Sequence, residues 1–211
     1  MSLALAAVAV AAVSYLFGCA NGAILISKLI FHDDVRAHGS GNAGLTNFYR
    51  TYGAKYALLV VLVDMGKAVA SVLLGAFVGQ LVLTAELAVL GKFYAALFCI
   101  LGHMFPVTEH GKGGKGILCG GALLLLLDWR IALVGWGLFV LCVALTRYIS
   151  LGSIAATVSF PVMCIFVYDM PAVILSAAMA ALVVWAHREN MKRLLKGTEN
   201  KFSLRTKGDK A

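Results

Sequence analysis

Charge is what this sequence has least of. Only 13% of its 211 residues are Asp, Glu, Lys or Arg, 61% are hydrophobic, and the mean hydropathy is +0.90. Soluble domains carry about 25% charge, so a water-soluble enzyme is excluded, and with it a disordered chain. Proline is scarce too, at three residues, which leaves room for several membrane helices and none for a second soluble domain. The chain therefore reads as a single integral-membrane domain over residues 1–211. Cysteines number five (Cys19, Cys99, Cys119, Cys142, Cys164), with no CxxC pair and no metal-ligand spacing, so a disulfide framework and a metal site are both excluded. The amino terminus has no basic leader, and its apolar run is too long for a cleaved signal, which predicts a retained helix.

Missing motifs narrow the chemistry further. There is no Gly-x-Ser-x-Gly elbow and no His followed at the fifth position by Asp. The only acids in the polar loops before the tail are Asp33, Asp34 and Glu109, too few to hold a metal on a nucleotide. Gly111 to Gly116 has Walker spacing, but Ile117 and Leu118 stand where Lys and Ser or Thr are required, so a motor ATPase is excluded.

What is present is a run of apolar segments long enough to cross a bilayer. Seven crossings are expected, at residues 2–30, 56–78, 81–101, 117–127, 131–147, 154–168 and 171–186, with Gly79-Gln80, Asp128 to Arg130 and Asp169 to Pro171 as turns. The fourth is short and spans only if its helix begins in the preceding loop. The formal charge of +8 gives the orientation. Eight Lys and Arg lie in the tail from about residue 187, and with seven crossings the same side receives Lys28, Arg36, Arg50, Lys55, Lys112, Lys115 and Arg147, so 15 of the 18 cations share one side. By the positive-inside rule the amino terminus is outside and the tail cytoplasmic. Lys67 and Asp64, three apart inside the second crossing, are placed to pair, whereas Glu86 and Lys92, six apart, do not share a face. The charge thus follows the membrane and does not indicate nucleic acid.

The cytoplasmic loops carry the chemistry. The first contains Ser40-Gly41-Asn42-x-Gly44-x-Thr46-Asn47 followed by Arg50. Its glycines permit positive φ, so that backbone N–H groups converge on an anion, and its short side chains add donors. The second joins Gly102-His103-x-Phe105-Pro106-Val107 to Lys112-Gly113-Gly114-Lys115-Gly116, where amides and two ammonium groups suit a phosphate ahead of a helix start. The third runs from Arg147 through Ser150 to Ser153, where the chain leaves one helix and enters another. In the tail, a continued last helix would put His187, Asn190, Met191 and Leu194 on one face with Arg193 a turn beyond Asn190. Each also has a plain reading, as capped turns, a topogenic flank or a lipid-binding tail.

Three motifs in this order resemble the bacterial acyl-phosphate:glycerol-3-phosphate acyltransferases, the third being His187-x-x-Asn190 through Gly197-x-Glu199-x-Lys201. The resemblance implies an all-α membrane protein of seven transmembrane helices in the bacterial inner membrane, with its site facing the cytoplasm. It also implies acyl phosphate and glycerol 3-phosphate as substrates, lysophosphatidic acid as product of the first step of phospholipid synthesis, no cofactor and no obligate protein partner. Carried over by position, Ser40, Lys115, His187 and Asn190 form the catalytic set, while Asn42, Thr46, Asn47, Arg50, Gly113, Gly114, Ser150 and Lys201 bind substrate. Phosphate is a good leaving group, so positioning supplies the acceleration, and the substrate phosphate is the expected proton acceptor ahead of His187. The chain departs from the family pattern at Leu45, Thr108 and Ile117-Leu118-Cys119, which bears on acyl-chain preference. An anion carrier and a different lipid-phosphate transferase are the alternatives.

Overall fold

A computed structural model describes residues 2–82 and 85–202, excepting the side chains of residues 85 and 86. The Glu86 side chain and the tail residues Arg205, Lys207, Asp209 and Lys210 lie outside the described residues. Among these residues the chain is all helical. It divides into two compact units, the first running to Leu123 and the second from Leu124.

The first unit contains α1 (Leu3–Cys19), α2 (Gly22–Phe31), α3 (Leu45–Tyr52), α4 (Ala54–Val82), α5 (Ala85–Met104) and the start of α6 (Ile117–Leu127). Its helices approach through glycine. A Cβ at Gly75 would collide with the Gly91 carbonyl, and one at Gly91 with the Gly75 carbonyl. Gly79 continues this seam, since its Cβ would stand 2.8 Å from the Leu87 carbonyl oxygen. Without an aqueous driving force, close backbone packing is what holds helices together in lipid. The outward face of α4 is apolar (Leu58, Leu62, Leu73, Phe77), whereas Asp64, Lys67 and Ser71 are buried. Such an inside-out distribution belongs to a helix in lipid.

The second unit holds α7 (Trp129–Thr146), α8 (Ile149–Ile165), α9 (Met170–Ala186) and α10 (Arg188–Leu195). Here Gly152 lets α8 approach α7, because a Cβ would sit 2.8 Å from the Phe139 carbonyl oxygen. At the α6–α7 turn Asp128 accepts from the Arg130 amide at 2.8 Å, from Arg130 Nη2 at 2.7 Å and from the Tyr168 hydroxyl at 3.0 Å. These bonds, the Arg130 guanidinium first, hold the Asp128 carboxyl down at about 2.

Several expected boundaries move. The first crossing is two helices bent by 42°, because Asn21 is extended and its Oδ1 accepts from the Ile24 amide at 3.1 Å, starting a new helix. Gly79-Gln80 is not a turn, since α4 continues through it to Val82, with Gly79 serving the seam. The helix α6 does not begin in the preceding loop: it starts at Ile117, after Gly116 at φ +81°. Its 11 residues span about 16 Å, against about 30 Å of hydrocarbon. Ser150 caps nothing and lies inside α8, whose cap is Tyr148. Nor does the last helix run on, since it bends by 57° between Ala186 and Arg188. Among the described residues, three helices can cross a membrane by length and composition, or up to five if each bent pair is one crossing.

Candidate active site

Two loops of the first unit are drawn together by polar contacts. Phe31, Phe48 and Tyr52 pack into an aromatic cluster under α3, with Phe31 stacked on Tyr52 at 4.2 Å between centroids. Above it the buried Asn47 ties the first loop shut. Its Nδ2 donates to the Val35 and His38 carbonyls, each at 3.0 Å, and its Oδ1 accepts from the Ser40 amide at 3.0 Å. Gly39 and Gly41 adopt positive φ of 56° and 70°, as the expected nest requires. That nest is partly occupied by the loop itself, since the Gly41 and Gly44 amides bond to the His38 and Asn42 carbonyls at 2.9 and 3.0 Å. Amides of Leu45, Thr46 and Asn47 open α3 and have no intrahelical acceptor. Ser40 is exposed, and Asn42, Thr46 and Arg50 are half-buried in the same segment.

The second loop folds back on the end of α5. The Gly113 amide bonds to the Met104 carbonyl at 3.1 Å and the Gly114 amide to the His103 carbonyl at 3.0 Å. Both glycines are required by space: a Cβ at Gly113 would collide with the His103 carbonyl, and one at Gly114 with His103 Nε2. These amides hold the loop and do not point at a ligand, contrary to the expected amide cradle. The half-buried Lys115 stands two residues before α6, where the helix dipole favours an anion.

Ion pairs bind the two loops. Arg36 Nη2 meets Asp34 at 2.6 Å and Glu109 at 2.7 Å, Arg36 Nη1 donates to the Lys112 carbonyl at 2.9 Å, and Lys28 reaches Glu109 at 2.9 Å. Hydrogen bonding to Asp34 raises the Arg36 guanidinium above its usual value, and the same bond lowers the Asp34 carboxyl. Nearby, Asp33 accepts from the Tyr52 hydroxyl at 2.9 Å and meets His38 Nε2 at 2.6 Å. Burial first, then the bond to Asp33, pushes Tyr52 up to about 12.

In the second unit Glu199 is the hub. It accepts from Ser150 Oγ at 3.0 Å, Asn190 Nδ2 at 2.8 Å and Arg193 Nε at 2.7 Å. Burial pushes its carboxyl up, but the bonds from Asn190, Arg193 and Ser150 outweigh that and hold it below the usual range. His187 is buried at the bend, and its Nδ1–H donates to the Val183 carbonyl at 2.8 Å, so in the neutral ring Nε2 carries the lone pair. Arg147 donates from Nη2 to the Phe202 carbonyl at 3.0 Å and ties the tail down, while Lys201 Nζ lies 5.9 Å from the centre of the Tyr148 ring.

The structure brings Ser150 and Asn190 together through a carboxylate, Glu199, that spacing did not single out. Asn21, Arg36 and the Asp33–His38–Tyr52 group were also missed as positioning elements. The available signal was scarcity: in so charge-poor a chain, Asp33, Asp34, Glu109, Asp128 and Glu199 are each committed to a partner.

The family model described as “Glycerol-3-phosphate acyltransferase” matches residues 8–197. A glycerol-3-phosphate acyltransferase of Thermoanaerobacter sp. (strain X514) is 36% identical over 201 residues, covering 95% of this chain and 98% of that protein. One from Clostridioides difficile (strain 630) is 36% identical over 194 residues, covering 92% and 94%. Among solved structures, PlsY (YgiH), an integral membrane glycerol 3-phosphate acyltransferase, in its glycerol 3-phosphate form aligns with a TM-score of 0.84 at 30% identity, covering 93% of this chain and 96% of that one. Its lysophosphatidic acid form aligns with a TM-score of 0.80 at 29% identity, covering 94% and 96%. With its apolar helices and its paired polar loops, the chain belongs to the glycerol-3-phosphate acyltransferase family and is a multi-pass membrane enzyme of lipid synthesis.

Proposed function

We propose that this enzyme transfers a fatty acyl group from acyl phosphate to the sn-1 hydroxyl of glycerol 3-phosphate, at the cytoplasmic face of the bacterial inner membrane. The observation that carries the reading is the Gly113-Gly114-Lys115 turn, folded on the end of α5 with its cation before the start of α6. A phosphate donor that is already activated suits such a site, which offers charge and helix amides.

In the first unit, Ser40, Asn42, Thr46 and Lys115 hold the donor's phosphoryl group, with Gly113 and Gly114 setting the place of Lys115 through their bonds to the end of α5. Asn47 shapes that loop from within, and Arg50 and Lys115 add cations for substrate phosphate. In the second unit, Ser150, His187, Asn190 and Lys201 take glycerol 3-phosphate, with Glu199 fixing Ser150 and Asn190. The hydroxyl oxygen attacks the acyl carbonyl carbon, the bond from that carbon to the phosphate oxygen breaks, and inorganic phosphate leaves with the electron pair. The hydroxyl proton passes to the phosphate, with His187 Nε2 as the second-ranked acceptor. Lysophosphatidic acid remains in the bilayer. No cofactor and no obligate protein partner enter this scheme. The chain acts as one membrane domain with its amino terminus outside, an orientation that the one-sided cations support; the seven-crossing count then requires the 11-residue α6, too short for the full hydrocarbon core, to be met by local thinning of the bilayer.

Purified protein given glycerol 3-phosphate is expected to form lysophosphatidic acid with acyl phosphate and not with acyl-CoA. Product from acyl-CoA alone overturns the donor assignment. Lys115→Ala should lower turnover about a hundredfold, the scale of losing one charged transition-state contact; a rate near wild type makes the loop a topogenic flank. A carrier for an anionic metabolite is the second reading, favoured by the break between α1 and α2, since carriers build sites from interrupted helices. Uptake of glycerol 3-phosphate into proteoliposomes without turnover of either donor decides for it.

A further inference from the structure

A buried charged cluster lies under the second loop and has no part in the scheme above. Asp64 and Lys67, on α4, pair at 2.8 Å, with their side chains 1% and 3% exposed. Lys67 Nζ also donates to the Ala20 carbonyl at 2.9 Å and the Gly18 carbonyl at 3.2 Å, and it lies 2.8 Å from His103 Nδ1. Asp64 accepts from the Gly22 amide at 3.1 Å, so both ends of the α1–α2 break are satisfied from α4. Burying two charges in a membrane helix is costly unless they are paired and their remaining donors and acceptors are bonded.

The cluster dictates the state of His103. An ammonium has three donors and no acceptor; by the shortest contacts these go to Asp64, His103 Nδ1 and the Ala20 carbonyl, with the longer Gly18 contact at 3.2 Å sharing one of them, so Nδ1 accepts from Lys67 and the ring's proton lies on Nε2. Asp64 does not compete for Nδ1, since that distance is 3.7 Å. His103 is itself 3% exposed, and Nε2 is directed at Gly114, where only a residue without Cβ fits. Among the described residues the ring's hydrogen bond is to Lys67 alone. The Ala43 carbonyl, from the first loop, borders the same spot, 2.6 Å from where a Gly114 Cβ would be. A cation bonded at Nδ1 polarises the ring and makes Nε2–H a stronger donor, the more so away from water.

We propose that His103 is a further substrate-binding residue: its Nε2–H donates to the phosphoryl oxygen of the acyl donor held at the Gly113-Gly114-Lys115 turn, with Lys67 and Asp64 as positioning residues that fix its tautomer. This rests on the acyl-phosphate reading above. It accounts for Gly114 being glycine, for a histidine in a buried place, and for a membrane ion pair three residues apart.

The test uses His103→Asn in the full chain, assayed beside the wild type. Asparagine retains an acceptor for Lys67 but ends short of Gly114. The expected result is a KM for acyl phosphate raised at least about tenfold, the factor of one hydrogen bond to a charged group, with the KM for glycerol 3-phosphate and the thermal midpoint little changed. An unchanged KM for acyl phosphate overturns the proposal. If that variant does not fold, Asp64→Asn with Lys67→Met removes both charges together and leaves the tautomer unfixed; the same KM should rise, and its constancy is equally fatal. Nitrogen-15 spectra of histidine-labelled wild type should show His103 protonated at Nε2, shifting when acyl phosphate alone is added, whereas an Nδ1–H ring overturns the assignment. Failure of the wild type itself to turn over acyl phosphate strikes the proposed function and not the histidine.

Discussion

Glu199 gathers a hydroxyl, an amide and a guanidinium onto one carboxylate, so its protonation should be felt by all three. Its carboxyl is held below the ordinary 4.5. A depressed carboxyl contributes stability above its unfolded value, and that contribution fades as pH falls through the folded one. Wild type should therefore lose part of its thermal midpoint as pH drops below about 4.5, whereas Glu199→Gln, already without the charge, should start lower and show a flatter profile over that range. Parallel pH profiles of the two proteins would contradict the hub. Turnover of Glu199→Gln at neutral pH should fall at least about tenfold through a higher KM for glycerol 3-phosphate, because a charged hydrogen-bond acceptor is lost. The side chains predicted from motif spacing at Ser150 and Asn190 are where that carboxylate can reach them. Glu199 itself was legible only as part of a motif, because nothing in a linear spacing of nine residues reveals a chain that turns back at Gly197, whose φ is +67°.

At the level of helices, glycine marks the difference between contact and exposure. Gly66 and Gly75 both lie in α4, but a Cβ meets nothing within 4 Å at the first and the Gly91 carbonyl at the second. Gly66→Ala should be neutral or stabilising by about 0.5–1 kcal/mol through helix propensity, while Gly75→Ala should cost about 1–3 kcal/mol by overpacking. Denaturation of the two variants in detergent separates them, and equal stabilities would mean the seam is looser than drawn. Hydropathy located α4, α5, α7 and α9 to within a few residues, because apolar length is a sum over the chain. It did not locate the break at Asn21 or the bend at His187, where local hydrogen bonds invisible to hydropathy are made: the Ile24 amide donates to Asn21 Oδ1, and the His187 ring donates from Nδ1 to the Val183 carbonyl. A single polar residue inside an apolar run leaves hydropathy almost unchanged while redirecting the backbone. The glycines and lysines of the loops were legible, yet the direction of the loop amides was not, since Gly113 and Gly114 donate theirs to α5 carbonyls.

For the whole molecule the distribution of cations makes a claim about sidedness that can be measured directly. In a background without the native cysteines, Gly111→Cys should react with an impermeant thiol reagent only from the cytoplasmic side, and Arg130→Cys only from the outside. Labelling of both from one side would remove the seven-crossing arrangement. The break between α1 and α2 bears on the rival carrier reading. An interrupted membrane helix leaves carbonyl oxygens unclaimed, and in a carrier such oxygens receive a cation that comes and goes. Here the Gly18 and Ala20 carbonyls receive Lys67, a cation tethered to the chain by its own side chain and balanced by Asp64. A guest that never leaves turns a would-be transport seat into a fixed internal counter-ion, and the helix break becomes a permanent joint of a stationary enzyme.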